Sequence, residues 1–230
     1  MCKFFKTFYV APLLVGIVLL TSYMIAFGLF SCDLISFTRD GGSVDMTTYA
    51  CYAALLVALF VYRGDFVTKE EKRSHRIFTF WAVIAIFREA GIQHWLTKTD
   101  TTAFKLRFFT NPANPLHEKI IALTLLISVT IMFVYTMNLY LIPAFKGFFK
   151  KMQGSWTVIT FLSVGATSKI VDRLPGNLRK CGIDLDRSGV LFGSSKICEE
   201  TLEMCLPVLA IVMLMQFHRD KSVFFPCTGK

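Results

Sequence analysis

Residues 120–142 read IIALTLLISVTIMFVYTMNLYLI, without a single Asp, Glu, Lys or Arg. A helix needs about 20 apolar residues to cross the ~30 Å hydrocarbon core of a bilayer. This stretch is long enough, whereas a surface helix of a soluble protein would carry charges along one face. The stretch therefore predicts a membrane-spanning helix, and the rest of the chain is interpreted from it.

The composition of the whole chain supports the same class. Hydrophobic residues make up 54% of the 230 residues and charged residues 18%, against roughly a quarter charged in an ordinary globular chain. The formal net charge is +9, but the basic residues form no stripe typical of nucleic-acid binding, and the short basic and aromatic run at 145–151 is typical of a membrane surface. Nucleic acid is therefore not an expected partner. In a membrane protein such an excess of Lys and Arg is typical of cytoplasmic loops.

Five further apolar blocks have lengths close to that of a span. We predict an all-α fold, a polytopic transmembrane bundle of about six spans, with residues 1–230 as a single integral membrane domain. The first block is longer than the apolar h-region of a usual signal peptide, so we expect it to be retained as a helix. The second and fifth are short, and either could be re-entrant instead. The predicted spans are 8–30, 47–62, 77–96, 120–142, 156–171 and 197–217.

The distribution of Lys and Arg predicts the orientation. With the N-terminus inside, the inner segments carry thirteen basic residues and the outer loops carry eight. Short loops rich in Lys and Arg stay in the cytoplasm. We therefore expect both termini to be cytoplasmic.

Charged residues interrupt four of the predicted spans close to one end. A charged side chain at the bilayer centre costs roughly 2.5–3.5 kcal/mol to insert, so such residues usually face the interior of a bundle. Because successive spans alternate in direction, the ends of the third and fifth and the starts of the fourth and sixth lie on one membrane face, predicted to be the outer one. The residues are Arg88, Glu89, His94, His117, Glu118, Lys119, Lys169, Asp172, Arg173, Lys196, Glu199, Glu200 and Glu203.

These residue types allow two kinds of site. Imidazole and carboxylate groups suit zinc, iron or manganese, although no HExxH or related spacing is present. A divalent metal is thus a candidate cofactor, and its candidate ligands are His94, His117, Glu199 and Glu203. The candidates for catalysis, as acid, base or proton shuttle, are Glu89, His94, His117, Glu199 and Glu203. The candidates for binding an anionic head group are Arg88, Lys169, Asp172, Arg173 and Glu200.

The same residues also fit a structural role. Six carboxylates and five basic groups nearly cancel, which is typical of a buried ion-pair network that needs no substrate. Two loops would line a pocket at this end. One is the proline-rich segment 108–115, and the other is the glycine-containing segment 174–195, which is long enough for a lid.

The pattern of charged residues between residues 77 and 215 resembles small uncharacterised polytopic proteins of bacterial inner membranes. The resemblance implies that the membrane is a bacterial inner membrane, and it implies no established activity. Three hypotheses follow from the residues themselves: an enzyme acting on a lipid or glycolipid head group, an accessory subunit with a protein partner in the membrane, and an ion- or proton-coupled transporter. Membrane lipid is an expected partner in each case. Transport ranks lowest because the inner half of the spans lacks charged residues.

Overall fold

The computed structural model describes residues 9–29, 34, 37, 42–91, 106–182, 189–219 and 221. Within these ranges the chain forms seven α-helices and no strand. The all-helical prediction is therefore confirmed for this part of the chain. A 3-10 turn, Tyr62–Asp65, follows the second helix. The helices are α1 Val10–Leu29, α2 Ser43–Val61, α3 Lys69–Glu89, α4 Leu106–Thr110, α5 Leu116–Phe149, α6 Gln153–Lys180 and α7 Val190–Arg219.

Three stretches are long and apolar enough to cross a membrane, namely Val10–Leu29, Ser43–Asp65 and Leu116–Phe149. They contain α1, α2 with its 3-10 turn, and α5. Large apolar side chains on them remain exposed, among them Leu20 at 62%, Phe60 at 76% and Ile131 at 64%. Lipid is the solvent in which such surfaces are stable, because water would oppose their exposure. The membrane class is thus supported for three helices of the six predicted.

The predicted spans and the observed helices differ in their bounds. The second, predicted at 47–62, is part of a longer helical stretch, Ser43–Asp65, so it is not short. The third, predicted at 77–96, begins earlier, because Thr68 and Glu71 form a capping box that starts α3 at Lys69. It ends at Glu89, where Gly91 has a φ of +64°, the left-handed conformation that terminates helices.

The predicted lid between the last two helices is wrong for most of its length. Helix α6 continues to Lys180, and α7 begins at Val190, so residues 174–180 and 190–195 are helical. The extension of α6 follows the helical repeat, because Val171, Pro175 and Leu178 continue the half-buried face of the helix. Gly182, at φ +82°, follows the end of α6.

The chain packs into two compact units, one of residues 1–66 and 144–230 and the other of residues 67–143. They are called unit 1 and unit 2 below. The prediction of a single integral membrane domain stays a prediction.

Helix α7 is the centre of unit 1. It packs against α1, α2 and α6, and no residue from 192 to 217 is fully exposed. Its apolar core with α1 and α6 includes Val15, Val164 and Leu209. Tyr23 of α1 also donates a hydrogen bond of 2.7 Å to the backbone oxygen of Ser194. Helix α7, which carries the predicted site residues Glu199, Glu200 and Glu203, is therefore the most enclosed helix of the unit.

Helices α3 and α5 are joined by side-chain hydrogen bonds within unit 2. Trp81 Nε1 donates to Thr136 Oγ1 at 3.0 Å, and the Tyr140 hydroxyl donates to Ser74 Oγ at 2.6 Å. Hydroxyl and indole groups pair in this way between helices that lie in lipid. The polar side chains of Thr136 and Tyr140 on α5 thus contribute to the packing of α5 against α3.

The turn between α5 and α6 lies in unit 1 and depends on one close approach. Helix α5 ends in a Schellman motif, in which Met152 N–H bonds the Gly147 carbonyl and Lys151 N–H bonds the Phe148 carbonyl. Gly147 is the point where the backbone meets Ser155 of α6.

We expect Gly147→Ala to lower the free energy of unfolding by about 1–3 kcal/mol, because overpacking has that typical cost. The added Cβ would lie 2.0 Å from Ser155 Oγ and 2.9 Å from Ser155 Cβ. The measurement is thermal unfolding of the full chain in detergent.

The matched control is Gly16→Ala in α1, where an added Cβ meets nothing within 4 Å. Alanine there should leave stability unchanged or raise it by about 0.5–1 kcal/mol, since it favours helix more than glycine does. The double variant Gly147→Ala/Ser155→Gly should recover most of the loss. Equal stability of the two alanine variants would contradict the close approach.

Candidate functional site

Two carboxylates are buried on α7. Glu199 and Glu203 are each 8% exposed and stand four residues apart, so they lie on the same face of the helix. A carboxylate in such surroundings requires a compensating positive charge or several hydrogen bonds. Each of the two carboxylates receives its positive charge from a lysine of unit 1.

Glu203 is held by two neighbouring residues of α6. Lys169 Nζ donates to Glu203 Oε1 at 2.6 Å, and Ser168 Oγ donates to the same oxygen at 3.2 Å. The Glu203 side chain is 10% exposed and that of Lys169 52%. The lysine therefore reaches from the edge of the helix pair to a carboxylate inside it, and the bond joins α6 to α7.

Glu199 is held by Lys196, one turn earlier on α7, with Nζ to Oε2 at 2.6 Å. Asp172 of α6 lies near Glu199 and acts on it electrostatically. The charged cluster consists of Lys169, Asp172, Lys196, Glu199 and Glu203.

Lys196 lies just ahead of the predicted sixth span. Its side chain is 32% exposed. Partial burial lowers the pKa of Lys196, but the hydrogen bond and attraction to Glu199, with smaller contributions from Asp172 and Glu200, raise the pKa above its ordinary value. Lys196 is therefore a stable positive charge at neutral pH.

Two further predicted site residues adjoin the charged cluster in sequence. Glu200 is half-buried on α7, and its charge acts on Lys196. Arg173 is exposed on α6, next to Asp172. The structure thus brings α6 and α7 residues of the predicted site together.

The remaining described candidates belong to unit 2. Arg88 Nη2 and Glu89 Oε2 are 3.3 Å apart, with the arginine side chain 41% exposed and the glutamate 10%. His117 is exposed in the first turn of α5. Beside it, Glu118 Oε2 is buried and has no hydrogen-bond partner among the described residues. His94 lies outside the described residues, and the convergence of all four span ends stays a prediction.

No metal centre is formed in the part of the chain that the structure describes. There, no group of three or more His, Cys, Asp or Glu side chains is placed to hold a metal ion. Glu199 and Glu203, two of the predicted ligands, instead bond lysine ammonium groups. A metal ligand set with His94 stays a prediction.

Ser168 and Lys196 take part in the site although neither was among the predicted catalytic or ligand-binding residues. The role of Lys196 is predictable from the sequence, because Lys196 and Glu199 have the i,i+3 spacing of a helical ion pair. Ser168 could have been found from the repeat of the buried face of α6, which places it one turn after Val164.

A second polar contact lies at the other end of α7, near the end of α2. His218 Nδ1 is 2.6 Å from Asp65 Oδ2, and the His218 ring packs on Tyr62 with centroids 4.8 Å apart. Lys221 also donates to the Asp65 backbone oxygen. The histidine is thus fixed by neighbours at this end.

The chain matches no protein-family model, no curated protein sequence and no solved structure. The resemblance to small inner-membrane proteins stays a prediction.

We expect Lys169→Met to destabilise the protein by about 1–3 kcal/mol. The substitution leaves the Glu203 carboxylate buried without its ammonium partner. Loss of one partner of a fully buried pair costs about 3–5 kcal/mol, and the half-exposed lysine reduces this value. Thermal unfolding in detergent measures the change.

The double variant Lys169→Met/Glu203→Leu should regain most of that loss, because an apolar pair needs no compensating charge. The control Lys180→Gln removes an exposed positive charge at the end of α6 and should change stability by less than about 0.5 kcal/mol. A double variant no more stable than Lys169→Met would argue against direct compensation between the two side chains.

Proposed function

We propose that this chain is an integral membrane protein of six spans whose charged cluster is a structural ion-pair network, and that it acts as a non-catalytic accessory subunit of a membrane complex. The observation that carries the proposal is the pairing of both buried carboxylates of α7 with lysines at 2.6 Å. Carboxylates that are paired with ammonium groups need no substrate to compensate their charge. Both termini are cytoplasmic in this proposal, and the membrane is a bacterial inner membrane.

The three spans beyond the apolar helices would be formed by α3, α6 and α7. Their charged residues do not prevent insertion if they are paired or lie at the membrane surface. In α7 the glutamates are paired, and the residues from 192 to 217 are enclosed. In α3 the charges of the first two turns precede a long apolar stretch, which supports the placement of those turns at the interface.

The exposed surface of α5 supports a role with a partner. Only 6% of the most apolar stretch of this helix is buried. Thr124 and Ser128, four residues apart on the exposed surface, bond their hydroxyls to the backbone of their own helix. Small hydroxyl residues at this spacing permit close packing of a second helix in lipid. Another membrane protein or lipid would cover this surface.

A second candidate is an enzyme acting on a lipid or glycolipid head group at the outer leaflet. The observation that favours it is the proximity of the Asp172 and Glu199 carboxyl groups, since neighbouring carboxyl groups can act as an acid and a base. Lys169, half-exposed and bonded to Glu203, would contact a phosphate. Among the described residues, no comparable observation favours transport. Thr136 and Tyr140 of α5 could have lined a polar path, but they hydrogen-bond to α3 instead.

One comparison separates the subunit from the enzyme. Lipid extracts from cells expressing the wild type and Glu199→Gln are compared by mass spectrometry, and partners retained in mild detergent are quantified for both. In the accessory proposal the two lipid extracts are the same, and a stoichiometric partner co-purifies with the wild type and with Lys169→Met/Glu203→Leu.

The matched control is Lys180→Gln, which leaves the charged cluster intact. A lipid product that appears with the wild type and Lys180→Gln, and disappears with a folded Glu199→Gln, would establish the enzyme and overturn the accessory proposal.

The six-span topology has its own test at Cys181, which is exposed just after α6. We expect a variant that keeps only this cysteine to react with a membrane-impermeant maleimide added to intact spheroplasts, because the topology places the end of α6 outside. Cys181→Ser in the same background is the control for background labelling. Labelling only after the membrane is permeabilised would contradict the proposed orientation.

A further inference from the structure

The turn between α5 and α6 presents exposed basic and aromatic side chains together. Residues 145–151, called the basic turn below, contain Lys146, Lys150 and Lys151, all exposed. Phe145 is 49% exposed and Phe149 80%. No acidic residue occurs between residues 143 and 155, so this segment of the chain offers no charge of its own to balance the lysines.

The basic turn has a defined shape. Lys151 has a φ of +54°, which is the left-handed residue of the Schellman motif described above. The ring of Phe148 stacks on Trp156 with centroids 4.4 Å apart, and Gly147 contacts Ser155. The lysines and Phe149 are therefore presented by a fixed backbone.

The length of α5 places the basic turn at a membrane surface. The helix has 34 residues, and at 1.5 Å per residue it is about 51 Å long. This exceeds the ~30 Å hydrocarbon core and also the ~40–45 Å of a bilayer with its head groups. When the apolar part of α5 crosses the core, its last turn reaches the head-group layer, at the depth of lipid phosphates.

We propose that the basic turn binds anionic phospholipid of the inner leaflet, with Lys146 and Lys150 at the lipid phosphates and Phe149 inserted among the upper acyl chains. Lysines near an anionic leaflet attract it, and exposed aromatic rings are stable at the interface. The proposal goes beyond the proposed function, because it concerns the other end of α6 from the charged cluster and needs no protein partner.

The test uses the purified full chain in zwitterionic detergent, titrated with phosphatidylglycerol or with phosphatidylcholine, and native mass spectrometry counts the lipids retained. We expect the wild type to retain phosphatidylglycerol in preference to phosphatidylcholine. Each lysine near an anionic surface contributes about a five-fold gain in binding, so Lys146→Gln/Lys150→Gln should weaken retention of phosphatidylglycerol by about 25-fold. Phe149→Ser should weaken retention of both lipids.

The matched control is Lys119→Gln/Lys180→Gln, which removes the same charge at the opposite ends of α5 and α6. It should retain phosphatidylglycerol like the wild type, and inorganic phosphate should not compete. Equal loss in the two double variants would overturn the proposal, because the effect would then follow net charge alone. Unchanged retention in Lys146→Gln/Lys150→Gln, with unchanged thermal unfolding, would also overturn it. Neither result bears on the ion-pair network, so the two proposals fail independently.

Discussion

Two carboxylates on the most enclosed helix of unit 1 need positive charge from nearby, and the packing of α6 on α7 supplies part of it. A carboxylate moved from water into a protein interior loses several kcal/mol of hydration, more than one neutral hydrogen bond returns. Lys169 and Lys196 supply the charge. The bond from Lys169 fits one rotation of α6 against α7, because a shift of one residue would turn its side chain by about 100° away from Glu203.

The helical class and three membrane-length helices could be predicted from hydrophobicity alone. The residues at which the helices begin and end could not be predicted in this way. Residues 174–180 contain proline and glycine and were expected in a loop, yet α6 continues through them. Proline in the chain removes one backbone donor, and this loss did not outweigh the burial of Val171 and Leu178 along the same face. Such burial depends on neighbouring helices, which sequence periodicity shows only weakly.

The candidate site was predictable in its residue types and less so in its pairings. Lys169, Asp172, Glu199 and Glu203 were recognised because charged residues in apolar stretches are costly. Their partners depend on helix rotation: Glu203 bonds Ser168 as well as Lys169, and Ser168 carries no charge that would draw attention in a sequence. The pairing of His218 with Asp65 joins residues more than 150 positions apart. Patterns in the spacing of neighbouring residues cannot predict such a contact.

The central position of α7 has a consequence for the order in which the protein is made. Helices α1, α2 and α6 all precede α7 in the chain, yet each packs against it. During synthesis these helices leave the ribosome before their main packing partner exists. Until α7 is made, their inner faces, Lys169 included, are covered by other molecules. Assembly of unit 1 is therefore completed only when α7 joins helices that have already been made.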